Sequence, residues 1–270
     1  MVDSIYPISR EGFSLSLQPR QYPAGHALSP LKRVAGPGFL IPRSAWPDLI
    51  ASQQAADGPG ADSVILNQGS YNWCWDFSLC GAMQDHRMLA GMPARSLSTA
   101  FLPSLLVGGS NVGLDLPTAL QAVEQYGIPD STFWPANEII GNMNQAPAGW
   151  QANAADNRVI PDSGGYAVVD FPAGQVFDYL ASALLRGMVC PVGLSWDGPG
   201  QGGHALRARR LLCFNGEYGI LLPNTWSISE QGSFPDGTRC PAGYDYRAES
   251  QCYDMDGVYG AYAFGALAAV

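Results

Sequence analysis

A chain of 270 residues and 28.7 kDa is long enough to bury a large core, in one domain or two closely packed lobes, without disulfide or metal staples. Its 14 basic and 23 acidic residues leave a net charge of −9, which repels a phosphate backbone and argues against nucleic acid as a partner. No apolar run approaches the roughly 18 residues that a membrane helix needs, so no membrane span is expected.

Residues 1–40 are rich in Pro, Gly and Ser and lack a helical period, so they read as an extended N-terminal arm. The first residues have neither a basic start nor an apolar core of signal-peptide length. Residues 41–67 are mixed, with a turn at 57–60. Cys74 to about Ala90 reads as a largely buried helix ended by Gly91 and Pro93. Residues 98–106 form a weaker helical candidate. Pro117 opens a clear helix that Gly127 closes. Residues 135–165 read mostly as loop.

Residues 166–171 read as a strand and 176–186 as an amphipathic helix. Strands follow at 189–196, 204–214 and 217–222, the last two joined by an Asn215-Gly216 turn. Residues 235–251 read as a loop insertion, and 257–266 as a closing strand. Arg207 and Arg209 alternate within one strand and are read as a solvated face.

The six cysteines contain no CxxC pair, and three scattered histidines supply no ligand spacing. No metal site and no cofactor are expected. Without a secretion signal, reduced thiols are the default, although Cys240 and Cys252 flank a polar loop and are placed to pair under oxidising conditions.

Cys74 stands where the loop Asn67-Gln68-Gly69-Ser70-Tyr71-Asn72 turns into a helix. Helix N-termini favour an anion, so a thiol there loses its proton more readily, and the thiolate is the nucleophile. Taken alone, a buried structural cysteine is the commoner case, and Cys80, Cys190 and Cys213 are read that way. A thiolate needs a proton-transfer partner. His86 lies on the same helix about 18 Å away, and His26 belongs to the arm. His204, after Gly202-Gly203 at the start of an apolar strand, remains as the base. Asn224 has a side-chain oxygen to orient that imidazole, and Trp226 an indole to shield it. By itself Asn224 reads as a turn residue after Pro223. Gln68 is placed to give an oxyanion donor together with the Cys74 N–H.

Together these residues resemble the papain family of C1-type cysteine peptidases. Asn67-Gln68-Gly69-Ser70 with Cys74-Trp75 and Phe77-Ser78 looks like its nucleophile segment. His204 and Asn224 follow Cys74 by 130 and 150 residues, within the family's spacing. Asn224-Thr225-Trp226-Ser227 resembles its Asn-Ser-Trp-Gly segment, and residues 97–102 and 257–262 resemble further stretches. Ser110-Asn111-Val112-Gly113-Leu114 sits where a substrate-binding strand belongs.

The resemblance implies an α+β fold in a papain-like domain over 41–270. It consists of a helical lobe over about 60–160 and a β-barrel lobe over about 161–270, with the active-site cleft between them. It implies catalysis by Cys74, His204, Asn224 and Gln68, and a peptide or protein substrate bound along Trp73, Asn111, Gly113 and Trp226. The reaction would be peptide hydrolysis through an acyl-enzyme.

The pattern also departs from the family. Tyr71 and Ser110 stand where a disulfide is usual. Trp73 replaces a small residue beside the nucleophile, Val112 replaces a glycine, and Asp76 puts a carboxyl near Cys74. The family's helical propeptide has no counterpart in residues 1–40. Two alternatives therefore stay open. One is a papain-fold assembly module with reduced or no catalysis, such as a phage virion component, whose arm contacts a protein partner. The other is amidase or transglutaminase-like acyl transfer. The expected location is cytoplasmic or virion-associated.

Overall fold

The computed structural model describes residues 17–18, 32–35, 37–56, 64–89, 91, 93–158, 166–226, 229 and 231–266. The parts of the arm and of the 57–63 turn not covered by these ranges lie outside the described residues.

Helices come first and strands later. Helix α1 (Trp46–Ala56) precedes α2 (Cys74–Leu89), α3 (Phe101–Val107), α4 (Leu116–Tyr126) and α5 (Trp150–Ala155), and α6 (Val176–Leu185) lies among the strands. The arm contributes β1 (Lys32–Val34). The strands that follow are β2 (Tyr166–Asp170), β3 (Cys190–Ser195), β4 (Gly203–Ala208), β5 (Arg210–Phe214), β6 (Glu217–Pro223), β7 (Tyr244–Ala248) and β8 (Tyr262–Ala266).

Helix α2 is buried along its first twelve residues, with its interior polar side chains Ser78, Gln84 and Asp85 each hydrogen-bonded. Gly91 takes a positive φ of 66° just beyond it. Helix α4 starts at Asp115, whose carboxylate accepts the Thr118 N–H at 2.9 Å, and ends at Gly127 with φ 79°. The β5–β6 hairpin turns at Asn215 and Gly216, both with positive φ, as an Asn-Gly turn demands.

Three expectations need correction. Among the described residues the strands form no closed barrel. They make three small sheets, β1-β2-β8, β3-β4 and β5-β6-β7. The ladders of β3 and β8 meet at one isolated bridge, Val192 to Ala261, because Gly260 (φ 86°) and the π-helical turn Met255–Tyr259 redirect the chain there. The single strand expected over 204–214 is broken at Arg209, which donates its N–H to Leu221 O. The supposed loop 235–251 contains β7, paired antiparallel to β6. Helices α1 and α5 were not anticipated.

Two large cores result. One joins α2, α3 and α4 around Trp75, Phe101 and Leu120. The other joins α1 and α6 to the strands around Trp46, Leu180 and Trp226. A smaller cluster of Leu212, Leu221 and Tyr246 fills the outer face of β5-β6-β7.

Arg207 and Arg209 are buried, not solvated. Arg207 Nε donates to Asp85 Oδ2 at 2.7 Å, with both side chains fully buried. An arginine of an apolar strand can be interior when a carboxylate meets it there.

Candidate active site

Cys74 is the first residue of α2 and is fully buried. None of the six cysteines is in a disulfide, so Cys240 and Cys252 do not pair. Burial pushes both of these thiols up to about 12.

Helix α2 lies along β4. Ser78 Oγ, one turn beyond Cys74, donates to Leu206 O, and Arg207 meets Asp85 two turns further along the helix. In this register, stepping back along the helix toward Cys74 means stepping back along the strand toward His204.

His204 is the second residue of β4, opposite Leu194 of β3, and is fully buried. Trp226 stacks on the imidazole with centroids 4.3 Å apart and planes 18° off parallel. Trp196 meets the ring edge-on at 5.2 Å and packs against Trp226 at 5.1 Å. The Arg247 guanidinium covers the Trp196 ring at 3.8 Å. Asn224 is the side chain close enough to act on the His204 ring, although neither ring nitrogen makes a well-formed hydrogen bond among the described residues.

Burial holds the imidazole down at about 3; neighbouring Asn224 opposes this and the Arg247 cation reinforces it. Asn224 is buried beside the ring, but in hydrogen-bond geometry its Oδ1 accepts the Trp226 N–H at 3.2 Å.

This neutral histidine has a consequence for stability. Below its ordinary value of 6.5, the unfolded chain takes up a proton at His204 that the folded chain refuses until about 3. The unfolded state then binds more protons, so stability present above that ordinary value is lost as pH falls. One such group costs roughly 1.4 kcal/mol per pH unit inside the window. Urea midpoints of His204→Gln are expected to fall less steeply than those of the wild type between about pH 6 and pH 4. Equal slopes would contradict a buried neutral imidazole.

Gln68 is buried in the loop before α2. Its N–H donates to Thr225 O at 2.7 Å, its Nε2 to Tyr71 O at 2.9 Å, and its Oε1 accepts from Thr225 Oγ1. The side-chain amide is thus oriented from the strand half of the molecule, with one Nε2 hydrogen directed to Tyr71 and a second not used by that bond.

The other candidates serve the first lobe. Trp73 is buried, stacks on Tyr71 at 4.2 Å, and donates its indole N–H to Ser110 O at 3.0 Å. The Asn72 N–H donates to Asn111 Oδ1, and Asn72 Nδ2 to Asn111 O at 2.9 Å. These bonds join the two segments where the papain pattern would carry a disulfide. Asp76 lies within α2, and burial pushes its carboxyl well above the usual range. Burial thus favours the neutral carboxyl, which lessens the opposition to a nearby thiolate that its sequence position suggests. Gly113 is half-buried beside Leu114.

The arm supplies residues that sequence reasoning missed. The Leu17 N–H donates to Gly203 O at 2.9 Å, and the Gln18 N–H to Leu114 O at 3.4 Å. The Leu17–Gln18 dipeptide therefore bridges the start of β4, next to His204, and the segment after Gly113. The Leu17 side chain is buried against Gly193, Leu116 and Tyr259. A Cβ at Gly193 would come within 2.5 Å of Leu17 Cδ2, and one at Gly203 within 2.5 Å of Leu17 O. The signal available was the alternation Phe13, Leu15, Leu17, a strand period inside a Pro/Gly-rich arm.

Among the described residues, no helix is long and apolar enough to cross a membrane. No group of three His, Cys, Asp or Glu side chains there is arranged to hold a metal ion.

No family model and no curated protein sequence matches the chain. Solved structures do. Xylellain, a cysteine protease from Xylella fastidiosa, superposes with a TM-score of 0.59 at 15% identity, over 95% of this chain and 98% of that one. The digestive procathepsin L2 proteinase of Tenebrio molitor larval midgut gives 0.61 at 19% identity, over 95% and 79%. A recombinant stem bromelain precursor gives 0.56 at 17%, over 92% and 78%. The chain has the papain-like fold of the C1-type cysteine peptidases.

Proposed function

We propose that the chain is a cysteine peptidase whose arm closes its own cleft at rest. The observation that carries this reading is the Leu17–Gln18 segment, held by main-chain hydrogen bonds to both Gly203 and Leu114. A site that grips a polypeptide backbone from two sides, next to His204 and Gly113, suits a peptide more than a single amide side chain. This weighs against the amidase and transglutaminase-like alternatives.

In this reading the Cys74 thiol gives its proton to His204, and the thiolate attacks the scissile carbonyl carbon. The negative charge moves to the carbonyl oxygen, where the Cys74 N–H and Gln68 Nε2 stabilise it. The imidazolium protonates the leaving nitrogen, the C–N bond breaks, and an acyl-enzyme remains. Water, deprotonated by His204, then releases the acid and restores the thiol. Trp226 and Trp196 exclude solvent from the ring, and Asn224 steadies it when it is charged.

The occluded cleft also favours a second reading, a papain-fold module that uses the arm permanently and performs no hydrolysis. Alkylation tests the first reading. With iodoacetamide at neutral pH, on a chain opened by Leu17→Asp, the adduct is expected on Cys74, and His204→Ala removes its advantage over the other thiols. Equal labelling of several cysteines would count against catalysis.

A further inference from the structure

The carriers of all three proposed chemical groups converge on one buried side chain. Arg207 stands on β4, three residues after His204. Its Nε donates to Asp85 Oδ2 at 2.7 Å, and Asp85 lies on α2, the helix headed by Cys74. Its Nη2 donates to Val64 O, four residues before Gln68 in the loop that leads into that helix. The guanidinium rests on Gly81 of α2, where a Cβ would come within 2.6 Å of Cζ. The helix therefore leaves out a side chain at the one place where the cation passes. Ser78 Oγ adds a bond to Leu206 O between this contact and the active site.

We infer that Arg207 is a positioning residue that fixes the register of the nucleophile helix, the base strand and the oxyanion loop. The inference rests on the peptidase reading. Its physical basis is geometric. Arginine offers several donors in one rigid plane, so it fastens two elements in a fixed geometry, whereas a lysine ammonium is a point charge on a flexible stem. A fully buried ion pair contributes little net stability compared with apolar residues of similar volume, so stability alone gives little reason for it. The consequence of fastening is spacing. A thiol and an imidazole carried on opposite lobes transfer a proton only when the helix and strand do not slide.

The test uses the full chain carrying Leu17→Asp to open the cleft, with Arg207→Met/Asp85→Leu as the principal variant and Arg207→Lys beside it. The apolar pair keeps the volume and removes both charges, so a cooperative melt near the Tm of the Leu17→Asp parent is expected. The rate of Cys74 alkylation is measured with and without His204→Ala, and kcat and KM are measured on a peptide substrate. The apolar pair is expected to lower kcat roughly 100-fold with little change in KM, and to erase most of the His204 dependence of alkylation. Arg207→Lys keeps the charge and is expected to fall between the two. A folded double variant with wild-type kcat and wild-type His204 dependence would overturn the inference. Loss of hydrolysis with alkylation still fully dependent on His204 would overturn it too, since the dyad would then be in register. A parent chain whose alkylation ignores His204 would instead sink the peptidase reading, and the positioning role with it.

Discussion

Hydrolysis of an unfolded protein substrate such as denatured casein falls by roughly 10⁴-fold or more when Cys74 is replaced by alanine. The loss is expected in kcat, because the sulfur forms the covalent intermediate and contributes little to holding the peptide. His204→Ala belongs to the same unit, so Cys74→Ala/His204→Ala is expected to be no worse than either single change. Such non-additivity separates a working dyad from two residues that each support the fold. Quantitative release of new N-termini from the substrate measures it. Undiminished release from the Cys74→Ala chain would reject the nucleophile assignment.

Leu17→Asp is expected to act in the opposite direction. Leu17 is buried against Leu116, Tyr259 and the open face of Gly193, and a carboxylate in that place has no cationic partner among those residues. Losing the buried leucine alone forfeits roughly 1.5–3 kcal/mol. Desolvating the charge adds to that cost. Cys74 alkylation and peptide hydrolysis should then rise together by roughly 10- to 100-fold, since each 1.4 kcal/mol is tenfold in occupancy. Alkylation that rises without hydrolysis would favour the non-catalytic module. Alkylation that does not change would mean that the arm is not what covers the sulfur.

The residues legible in the sequence were those whose chemistry is local. Helix α2 announced itself through its buried run and the Gly91 stop, and the position of Cys74 at its head followed. The Asn215-Gly216 hairpin was equally plain. Long-range compensation was not legible. Arg207 looked like a surface residue because its carboxylate partner lies 122 positions away. Strand β7, Tyr-Asp-Tyr-Arg-Ala, reads as loop because two charged residues interrupt it, yet Asp245 and Arg247 are both buried. Helix α1 was missed for a related reason. Its sequence, WPDLIASQQAA, has large apolar residues only in its first five positions, and tertiary packing of Trp46 and Ile50 against the second core makes it stable. Around the candidate site, the order Gln, Cys, His, Asn pointed to the chemistry, whereas the Trp196 edge on the imidazole and the Thr225 bond to Gln68 required the folded chain.

Strand β1 runs parallel to β2, and with Leu17 it gives the arm two attachment points on the same body. About 14 residues separate them, a contour of at most roughly 50 Å. A leucine that leaves the groove therefore stays on a short leash, at an effective concentration on the order of millimolar. In the peptidase reading, substrate then has to outcompete a neighbour that never diffuses away. A synthetic peptide copied from the arm would need to be supplied at comparable strength before it could match what the leash does for nothing.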